Sequence, residues 1–219
     1  MQSFAFKCEL TWKENVTLLK NQMTKKLKRN YRKAKYVLYK ETLVDFKEHF
    51  WAFLGSFVGL GIISLLQYRI FAPSDYVFLI GSFGATCVLI YGVIESPLAQ
   101  PRNLIGGHVI SAIIGVSVQK LFPDLIWVAA PLAVSLSIVL MQITKTLHPP
   151  GGATALIAIA GSEKIKELGY WYVISPVLLG AIILLITALI FNNIPSKRHY
   201  PSKGNFLSKK ELKKRIPFL

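Results

Sequence analysis

The chain has 219 residues and a formal net charge of +15, yet 53% of its residues are hydrophobic and only 17% are charged. A soluble domain carries roughly 25% charged residues, so the composition disfavours a soluble globular protein. Twelve of the 26 Lys and Arg precede residue 50 and eight follow residue 195. Because these basic residues flank apolar runs and form no nucleic-acid-binding module, we expect an integral membrane protein and no nucleic-acid partner.

Residues 1–49 are predicted to form a basic cytoplasmic N-terminal arm. Within 23–47, apolar side chains fall on one helical face among Lys and Arg, which is typical of a cationic helix lying on a membrane surface. A solvated arm fits the same pattern. Each Lys or Arg beside a membrane contributes about 1 kcal/mol to the binding of anionic lipids, so we expect these lipids to be partners of the arm.

Six stretches without Asp, Glu, Lys or Arg follow, and they cover residues 50–68, 76–94, 103–119, 125–144, 146–162 and 168–196. Five of them match the roughly 20 residues that cross a ~30 Å hydrocarbon core. The stretch 146–162 is ambiguous, because its helical part can begin only near Pro150. It is either re-entrant or completed by extended backbone. The predicted fold class is all-α, a polytopic membrane helix bundle with about six membrane segments, two of them short or broken.

The distribution of positive charge favours six crossings over five. Cytoplasmic flanks carry the excess of Lys and Arg. With six crossings, 22 of the 26 basic residues lie on the side of the N-terminus, whereas five crossings leave 16 there and 10 opposite. We therefore predict a multi-pass protein of the cell (inner) membrane, with a transmembrane domain at 50–194, a basic C-terminal tail at 195–219, and both termini in the cytoplasm.

Gly-Ala-Thr occurs in the second segment, at residues 84–86, and again 68 residues later in the fifth, at 152–154. Each copy precedes a short apolar stretch. Shifting the first and third segments by the same interval lands approximately on the fourth and sixth. Two inverted halves of three segments would give this pattern, and chance similarity of a small-residue tripeptide explains it equally well.

A helix that begins inside a membrane leaves its first N–H groups unpaired and carries about half a positive charge there, which attracts an anion. We expect eight residues around the two Gly-Ala-Thr copies to line a substrate pathway. They are Ser82, Gly84, Ala85, Thr86, Gly151, Gly152, Ala153 and Thr154. The alternative is that these small residues serve only to pack helices closely.

The residues between the two copies suggest a gate. A residue before proline is displaced from the helical region, so His148 is expected on extended backbone, as a protonatable gate or as a partner of carbonyls freed by the break. The gate and vestibule residues are predicted to be Glu95, Arg102, Asn103, His108, His148, Pro149 and Pro150. For His108 the alternative is a bond between helices, and for Glu95 and Arg102 it is an ordinary surface ion pair.

No nucleophile elbow, metal-ligand spacing, phosphate-binding loop or pair of carboxylates within a span occurs in the sequence. We therefore predict that the chain is not an enzyme and that it has no cofactor and no metal site.

These motifs resemble the HPP family of integral membrane proteins, whose name matches the His-Pro-Pro at 148–150. The resemblance covers about residues 50–201 and is most specific over 81–115, 145–161 and 176–181. Family members are described with four transmembrane segments, two fewer than predicted here, and the two additional segments are those that carry the motifs. The resemblance implies membrane transport, with nitrite as the substrate of plastid and related members.

The sequence thus supports a membrane transporter or channel for a small monovalent anion, with nitrite assigned by similarity. If it is a transporter, one three-segment half would rock against the other. The alternative is a non-transporting membrane scaffold or sensor that acts through its basic tails. A homo-oligomer is expected in either case, because six short segments give little lateral bulk.

Overall fold

The computed structural model describes residues 46–70 and 79–202, and the surface helix predicted within 23–47 falls almost wholly outside them. All regular structure in these two ranges is helical. The seven α-helices are α1 (Phe46–Ile70), α2 (Gly81–Cys87), α3 (Pro101–Leu121), α4 (Ile126–Ile143), α5 (Pro149–Ala160), α6 (Glu163–Glu167) and α7 (Leu179–Phe191). A π turn (Val88–Gly92) extends α2, a 3₁₀ turn (Pro97–Ala99) precedes α3, and a π-helical segment (Val173–Leu178) leads into α7.

Four helical segments of the described chain are long and apolar enough to cross a membrane: α1, α3, α4 and the joined Val173–Phe191. Together with the absence of strands in the described ranges, they confirm the predicted all-α fold class, and their length and composition agree with several membrane crossings. The two remaining predicted segments form shorter apolar helices, Gly81–Gly92 and Pro149–Ala160. At 1.5 Å per residue each is about 18 Å long, against a hydrocarbon core of about 30 Å. Six membrane segments therefore remain a prediction.

Helix α5 packs against α3 with almost no side chain between the two backbones. A Cβ atom added at Gly107 of α3 would overlap the Cβ of His148, and one added at Gly115 would lie 2.7 Å from the carbonyl oxygen of Ala155. The approach is reciprocal, since a Cβ at Gly151 of α5 would lie 2.8 Å from the Gly107 oxygen. Glycine at these places allows the close helix contact that small residues provide in membrane bundles.

Helix α2 packs against α5, and an aromatic side chain connects it to α7. Phe83 is fully buried, and its ring lies directly against Gly180 of α7. The π turn after α2 contacts α1, where a Cβ at Gly59 would lie 2.8 Å from the Tyr91 hydroxyl. That hydroxyl also shares a 2.7 Å hydrogen bond with Thr187 of α7.

Side-chain contacts identify the two ends of α3. At its first turn, the Arg102 guanidinium donates to the Thr144 carbonyl at 2.7 Å, just after α4 ends. At its last turn, the Lys120 ammonium lies 5.8 Å from the centre of the Tyr170 ring. The chain between Thr144 and Tyr170, which includes α5, therefore extends from one end of α3 to the other.

The described part of the predicted C-terminal tail, residues 195–202, packs against the end of the bundle at which α3 begins. Tyr200 is buried and donates to the Ala99 carbonyl at 2.7 Å. The Arg198 guanidinium donates to the Tyr91 carbonyl at 2.6 Å, and the Asn192 amide donates to the Ile90 carbonyl at 2.8 Å. A helix end leaves its last carbonyls without helical partners, so these side chains supply partners for the end of the π turn.

Candidate functional site

Four fully buried polar side chains meet where the two short helices approach α3. They are Thr86 of α2, His108 of α3, His148 immediately before α5, and Thr154 of α5, and each is 0% exposed. We refer to these four residues as the histidine–threonine cluster. A polar group that is removed from water is destabilising unless it forms hydrogen bonds. The chemistry of the cluster therefore depends on its hydrogen bonds.

The cluster is a continuous series of hydrogen bonds. The hydroxyl of Thr154 lies 2.7 Å from Nδ1 of His108, whose Nε2 lies 2.8 Å from the hydroxyl of Thr86. The same Thr86 hydroxyl lies 3.2 Å from Nε2 of His148. The Nδ1 of His148 in turn lies 2.8 Å from the backbone oxygen of Leu98, in the 3₁₀ turn. His108 is thus held from both ring nitrogens by the two Gly-Ala-Thr threonines.

The two threonines occupy equivalent places in their helices, since each is the sixth residue. Each hydroxyl also reaches the carbonyl four residues earlier, at 2.9 Å from Thr86 to Ser82 and at 3.3 Å from Thr154 to Pro150. Gly-Ala-Thr therefore lies in the second turn of each helix rather than at its first N–H groups. The Thr154 hydroxyl therefore has one ring nitrogen and one backbone carbonyl within reach, and the Thr86 hydroxyl has two ring nitrogens and one carbonyl.

Extended backbone places His148 in the cluster. The residue caps α5 with φ −141° and ψ 103°, which confirms the conformation predicted from the following proline. Pro149, at the start of α5, is exposed, whereas Pro150 is buried. His148 fits against α3 because Gly107 has no side chain there. Its Nδ1 bonds to a carbonyl of the 3₁₀ turn rather than to one freed by the Pro-Pro break.

Ring packing fixes the orientation of the two imidazoles. The centroids of His108 and His148 are 4.9 Å apart, with their planes inclined at 62°. The ring of Phe83 packs edge-on against His108 from the other side, with a centroid distance of 5.6 Å. Edge-to-face contacts of this kind add stability beyond simple burial, so the nitrogens of both imidazoles are held in fixed directions.

The residues predicted to line the pathway differ in exposure, and their role as pathway residues stays a prediction. Ser82, Thr86, Gly151 and Thr154 are buried, Gly152 and Ala153 are half-buried, and Gly84 and Ala85 are exposed on the outer face of α2. The two buried threonines are the members that hydrogen-bond to the histidines. Among the described residues, Ser82 Oγ is a buried polar atom without a hydrogen-bond partner.

The other predicted gate residues tie the start of α3 to the segment before α5. Arg102 donates to the Thr144 carbonyl at 2.7 Å, and the Asn103 amide donates to the Leu147 carbonyl at 2.8 Å. Glu95 is exposed, and no ion pair joins it to Arg102 within the described ranges. The sequence separated pathway and gate, whereas the structure joins Thr86 and Thr154 of the first group to His108 and His148 of the second.

Sequence reasoning missed two groups that support the cluster. Tyr172, which is buried ahead of the last span, donates to the Thr154 carbonyl at 3.0 Å. The carbonyl of Leu98 holds His148, and the next carbonyl, that of Ala99, is held by Tyr200. A backbone carbonyl has no sequence signature. Tyr172 and Tyr200 are aromatic residues near a membrane boundary, and that property alone did not distinguish them.

Comparisons with known proteins agree with this architecture. A family model described as "HPP, transmembrane region" matches residues 41–201. Two proteins of Dictyostelium discoideum, named only as transmembrane proteins, are 49% and 47% identical to this chain over 160 residues. The alignments cover 72% of this chain and 56% and 51% of the relatives, so the chain spans about half the length of the curated relatives it matches. No solved structure matches.

Proposed function

The chain belongs to the HPP family of transmembrane proteins, and we propose that it is a transporter or channel for a small monovalent anion, with nitrite as the first candidate. The observation that carries this proposal is the histidine–threonine cluster, whose four side chains are completely buried among membrane-length apolar helices. Polar and ionisable residues inside a membrane are costly, and they commonly mark the path of a substrate or ion.

The chemistry of the interior favours an anion over a cation. No Asp or Glu occurs in α2 to α5 or in Val173–Phe191. A cation that crossed the bundle would therefore meet no carboxylate in these helices. The hydroxyls of Thr86 and Thr154 and the N–H groups of the two imidazoles are donors, and we propose that an anion entering the cluster accepts from them in place of their bonds within it.

We propose that both short helices take part in membrane crossings. The segment from Thr144 to Tyr170 extends from one end of α3 to the other, and α3 is 21 residues and about 30 Å long. An extended stretch, Thr146 to His148, adds length before α5. Broken helices are tolerated at membrane depth where protein surrounds them, and α5 packs directly on α3. This arrangement supports a crossing rather than a re-entrant loop.

The two short helices also support the proposed inverted repeat of three plus three segments. Thr86 and Thr154 are the sixth residues of α2 and α5, and both bond to the carbonyl four residues earlier. They approach His108 from opposite ring nitrogens. A related pair of half-helices that meet at one central residue is the arrangement in which rocking of one half against the other would open the site to alternate sides.

The charges at the two ends of the bundle support our proposal that both termini lie in the cytoplasm, and the inner membrane stays the proposed location. Arg102 contacts Thr144, beside Lys145, and the described tail packs at the same end through Tyr200. Lys120 marks the opposite end. The end with the larger positive charge is expected inside. In a Cys8→Ser background, Lys164→Cys should react with an impermeant thiol reagent added outside cells, and Lys145→Cys should not.

Uptake into proteoliposomes tests the function. Vesicles containing the protein should take up nitrite, and nitrate, formate and chloride serve as competitors. Thr154→Val should lower the initial rate about tenfold or more, because a hydrogen bond to an ion contributes about 1.5–3 kcal/mol. Thr187→Val is the matched control, since it removes another buried, back-bonded hydroxyl of the same bundle and should leave the rate unchanged.

The opposite results would point to the rival function. Absence of flux of any of these ions, in vesicles that contain folded protein, contradicts transport and leaves the scaffold or sensor. That rival predicts that removal of residues 1–45 abolishes function in cells while Thr154→Val has no effect. Equal loss of rate in Thr154→Val and Thr187→Val would show that the cluster has no special part in the pathway.

A further inference from the structure

We propose that the histidine–threonine cluster is a binding site for one proton, held at Nε2 of His148, and that the proton crosses the membrane together with the anion as an electrically neutral pair. The inference deepens the function proposed above and rests on it. It follows from the direction in which each hydrogen bond of the cluster must point.

The carbonyl of Leu98 fixes the tautomer of His148. A carbonyl oxygen can only accept a hydrogen bond, so Nδ1 of His148, at 2.8 Å, must carry a hydrogen. In a neutral imidazole the other nitrogen is then an acceptor. Nε2 of His148 therefore takes its hydrogen bond from the hydroxyl of Thr86, 3.2 Å away.

This assignment determines the rest of the series. The Thr86 hydroxyl has one hydrogen, and when that hydrogen points to His148 the oxygen must accept from Nε2–H of His108. Nδ1 of His108 is then an acceptor and takes the hydrogen of Thr154. Each donor points the same way, from Thr154 to His108, Thr86, His148 and finally Leu98. In the neutral cluster, all of these hydrogen bonds can form only with this one assignment of donors and acceptors.

The backbone gives the cluster a second, protonated state that is also fully bonded. The Thr86 hydroxyl is 2.9 Å from the Ser82 carbonyl, which is closer than His148. When His148 takes a proton on Nε2, the Thr86 hydrogen turns to Ser82, and the Thr86 oxygen accepts from both rings. Rotation of one hydroxyl therefore admits the proton without leaving a buried group unpaired.

The geometry favours one proton rather than two. The rings of His108 and His148 lie 4.9 Å apart between their centroids, and two positive charges at that separation repel each other strongly away from water. The neutral partner ring, His108, remains a donor to Thr86 in both states. A single charge therefore resides on His148, the ring that the Leu98 carbonyl holds.

Within the described ranges, no carboxylate is hydrogen-bonded to the cluster to balance that proton. The other titratable or charged side chains on the elements around it are Cys87, Tyr91, Glu95, Arg102, Lys120, Lys145, Tyr172, Lys197, Arg198, His199 and Tyr200, and α4, α5 and α7 contain none. Of these, Tyr172 bonds to the cluster, through the carbonyl of Thr154. No hydrogen bond of the cluster goes to a carboxylate.

A buried imidazolium without a counter-charge is strongly unfavourable. A monovalent anion bound beside it removes that penalty, and the proton in turn removes the penalty of burying the anion. Each ligand therefore favours the binding of the other, as linkage requires. The two should cross as a pair, and the transport cycle should move no net charge.

Initial rates of nitrite uptake in proteoliposomes test the coupling. One set of vesicles has an interior more alkaline by about one pH unit with the membrane potential clamped at zero, and a second has equal pH and an inside-positive potential. The rate in protein-free vesicles is subtracted, because undissociated nitrous acid crosses bilayers unaided. The pH gradient should raise the initial rate for the wild-type protein several-fold and support up to about tenfold nitrite accumulation, which corresponds to about 1.4 kcal/mol per unit, and the potential should do neither.

His148→Gln removes the titratable ring but keeps an amide to bond to Leu98, and it should lose the response to the pH gradient. The exposed His199→Gln is the matched control and should keep it. Wild-type uptake that follows the potential and ignores the pH gradient would overturn the coupling and leave anion transport standing. Absence of any uptake would overturn both proposals.

The direction of the bonds has an independent readout that does not depend on transport or on a variant that folds. Nitrogen-15 NMR of histidine-labelled wild-type protein in bilayers distinguishes the two tautomers. At neutral pH we expect His148 with its hydrogen on Nδ1 and His108 with its hydrogen on Nε2. On acidification in the presence of nitrite, the His148 ring should become protonated before the His108 ring. The reverse tautomers, or first protonation of His108, would overturn the proposal.

Discussion

The two short helices carry the same Gly-Ala-Thr sequence, yet they are held in the bundle in different ways. Helix α5 lies backbone to backbone on α3, with Gly107, Gly115 and Gly151 at the contact. Helix α2 packs against α5 and contacts α7 through the ring of Phe83, and its own Gly84 is exposed with open space around it. The close contact of α5 thus uses Gly151, just before Gly-Ala-Thr, whereas the glycine and alanine of the α2 copy face outward.

The difference separates what the tripeptides share from what each copy does locally. In both helices the threonine reaches His108, whereas the glycine and alanine have no common role. Close backbone contact leaves α5 no room for another atom, while a side-chain contact lets α2 shift as its ring adjusts. If one of the short helices moves during transport, we expect it to be α2, because α5 is packed closely on α3.

The largest effect should come from adding volume to the α3–α5 contact. Gly107→Val would force methyl groups against His148 and the Thr146 carbonyl, and we expect a loss of more than about 3 kcal/mol in the free energy of unfolding. The control is Gly61→Val in α1, where nothing lies within 4 Å. Unfolding in detergent measures both, and a Gly107→Val variant as stable as its control would show that the backbones do not touch.

The next largest loss of stability should come from removing the two threonine hydroxyls one at a time, and the size of the loss should differ between the two Gly-Ala-Thr copies. Thr86→Val takes a partner from both His108 and His148, whereas Thr154→Val takes one from His108 alone. Each buried group left unpaired costs about 1–3 kcal/mol, so the first variant should be destabilised about twice as much. Thr86→Ser should restore most of the loss. Equal destabilisation of the two valine variants would contradict the shared bond at Thr86.

Trimming the ring that holds α2 should have a smaller effect. Phe83→Leu keeps an apolar side chain against Gly180 but leaves part of the space empty, and we expect a loss of about 1.5 kcal/mol. Val88→Leu, at a position 66% exposed, is the control for an apolar exchange in the same helical segment. Transport should be altered more than stability if α2 moves during the cycle. An unchanged rate in Phe83→Leu would argue that α2 is static.

The smallest expected effect is a gain. Gly84→Ala adds a methyl group where nothing lies within 4 Å, and alanine in place of glycine inside a helix is expected to stabilise it by about 0.5–1 kcal/mol. Thermal unfolding in detergent should show a modest rise in midpoint. A fall would mean that the outer face of α2 is covered in the native membrane protein, for example by a second copy of the chain.

Several of these features could be predicted from the sequence because they depend on local chemistry. Apolar length identified the membrane-length helices, and the proline after His148 identified extended backbone. The two Gly-Ala-Thr copies directed attention to Thr86 and Thr154, which are the residues that meet at His108.

Other features could not be predicted, because they depend on groups that have no sequence pattern or that are distant in the chain. The carbonyl of Leu98 orients His148 from 50 residues away. Gly84 is exposed whereas Thr86 is buried, although both belong to the same tripeptide. The sequence motif alone does not show that its residues face opposite ways. An anion site at the first N–H groups of each helix was expected, whereas the structure places the threonines one turn later.

The side chains that complete the π turn after α2 also set an order of assembly during synthesis. The carbonyls of Ile90 and Tyr91 find their partners in Asn192 and Arg198, 102 and 107 residues further along the chain. Synthesis proceeds from the N-terminus, so the first motif helix enters the membrane long before the groups that finish it exist. It can reach its final position only when nearly the whole domain has been made. A nascent chain stalled before Asn192 should therefore expose this helix to cellular quality control.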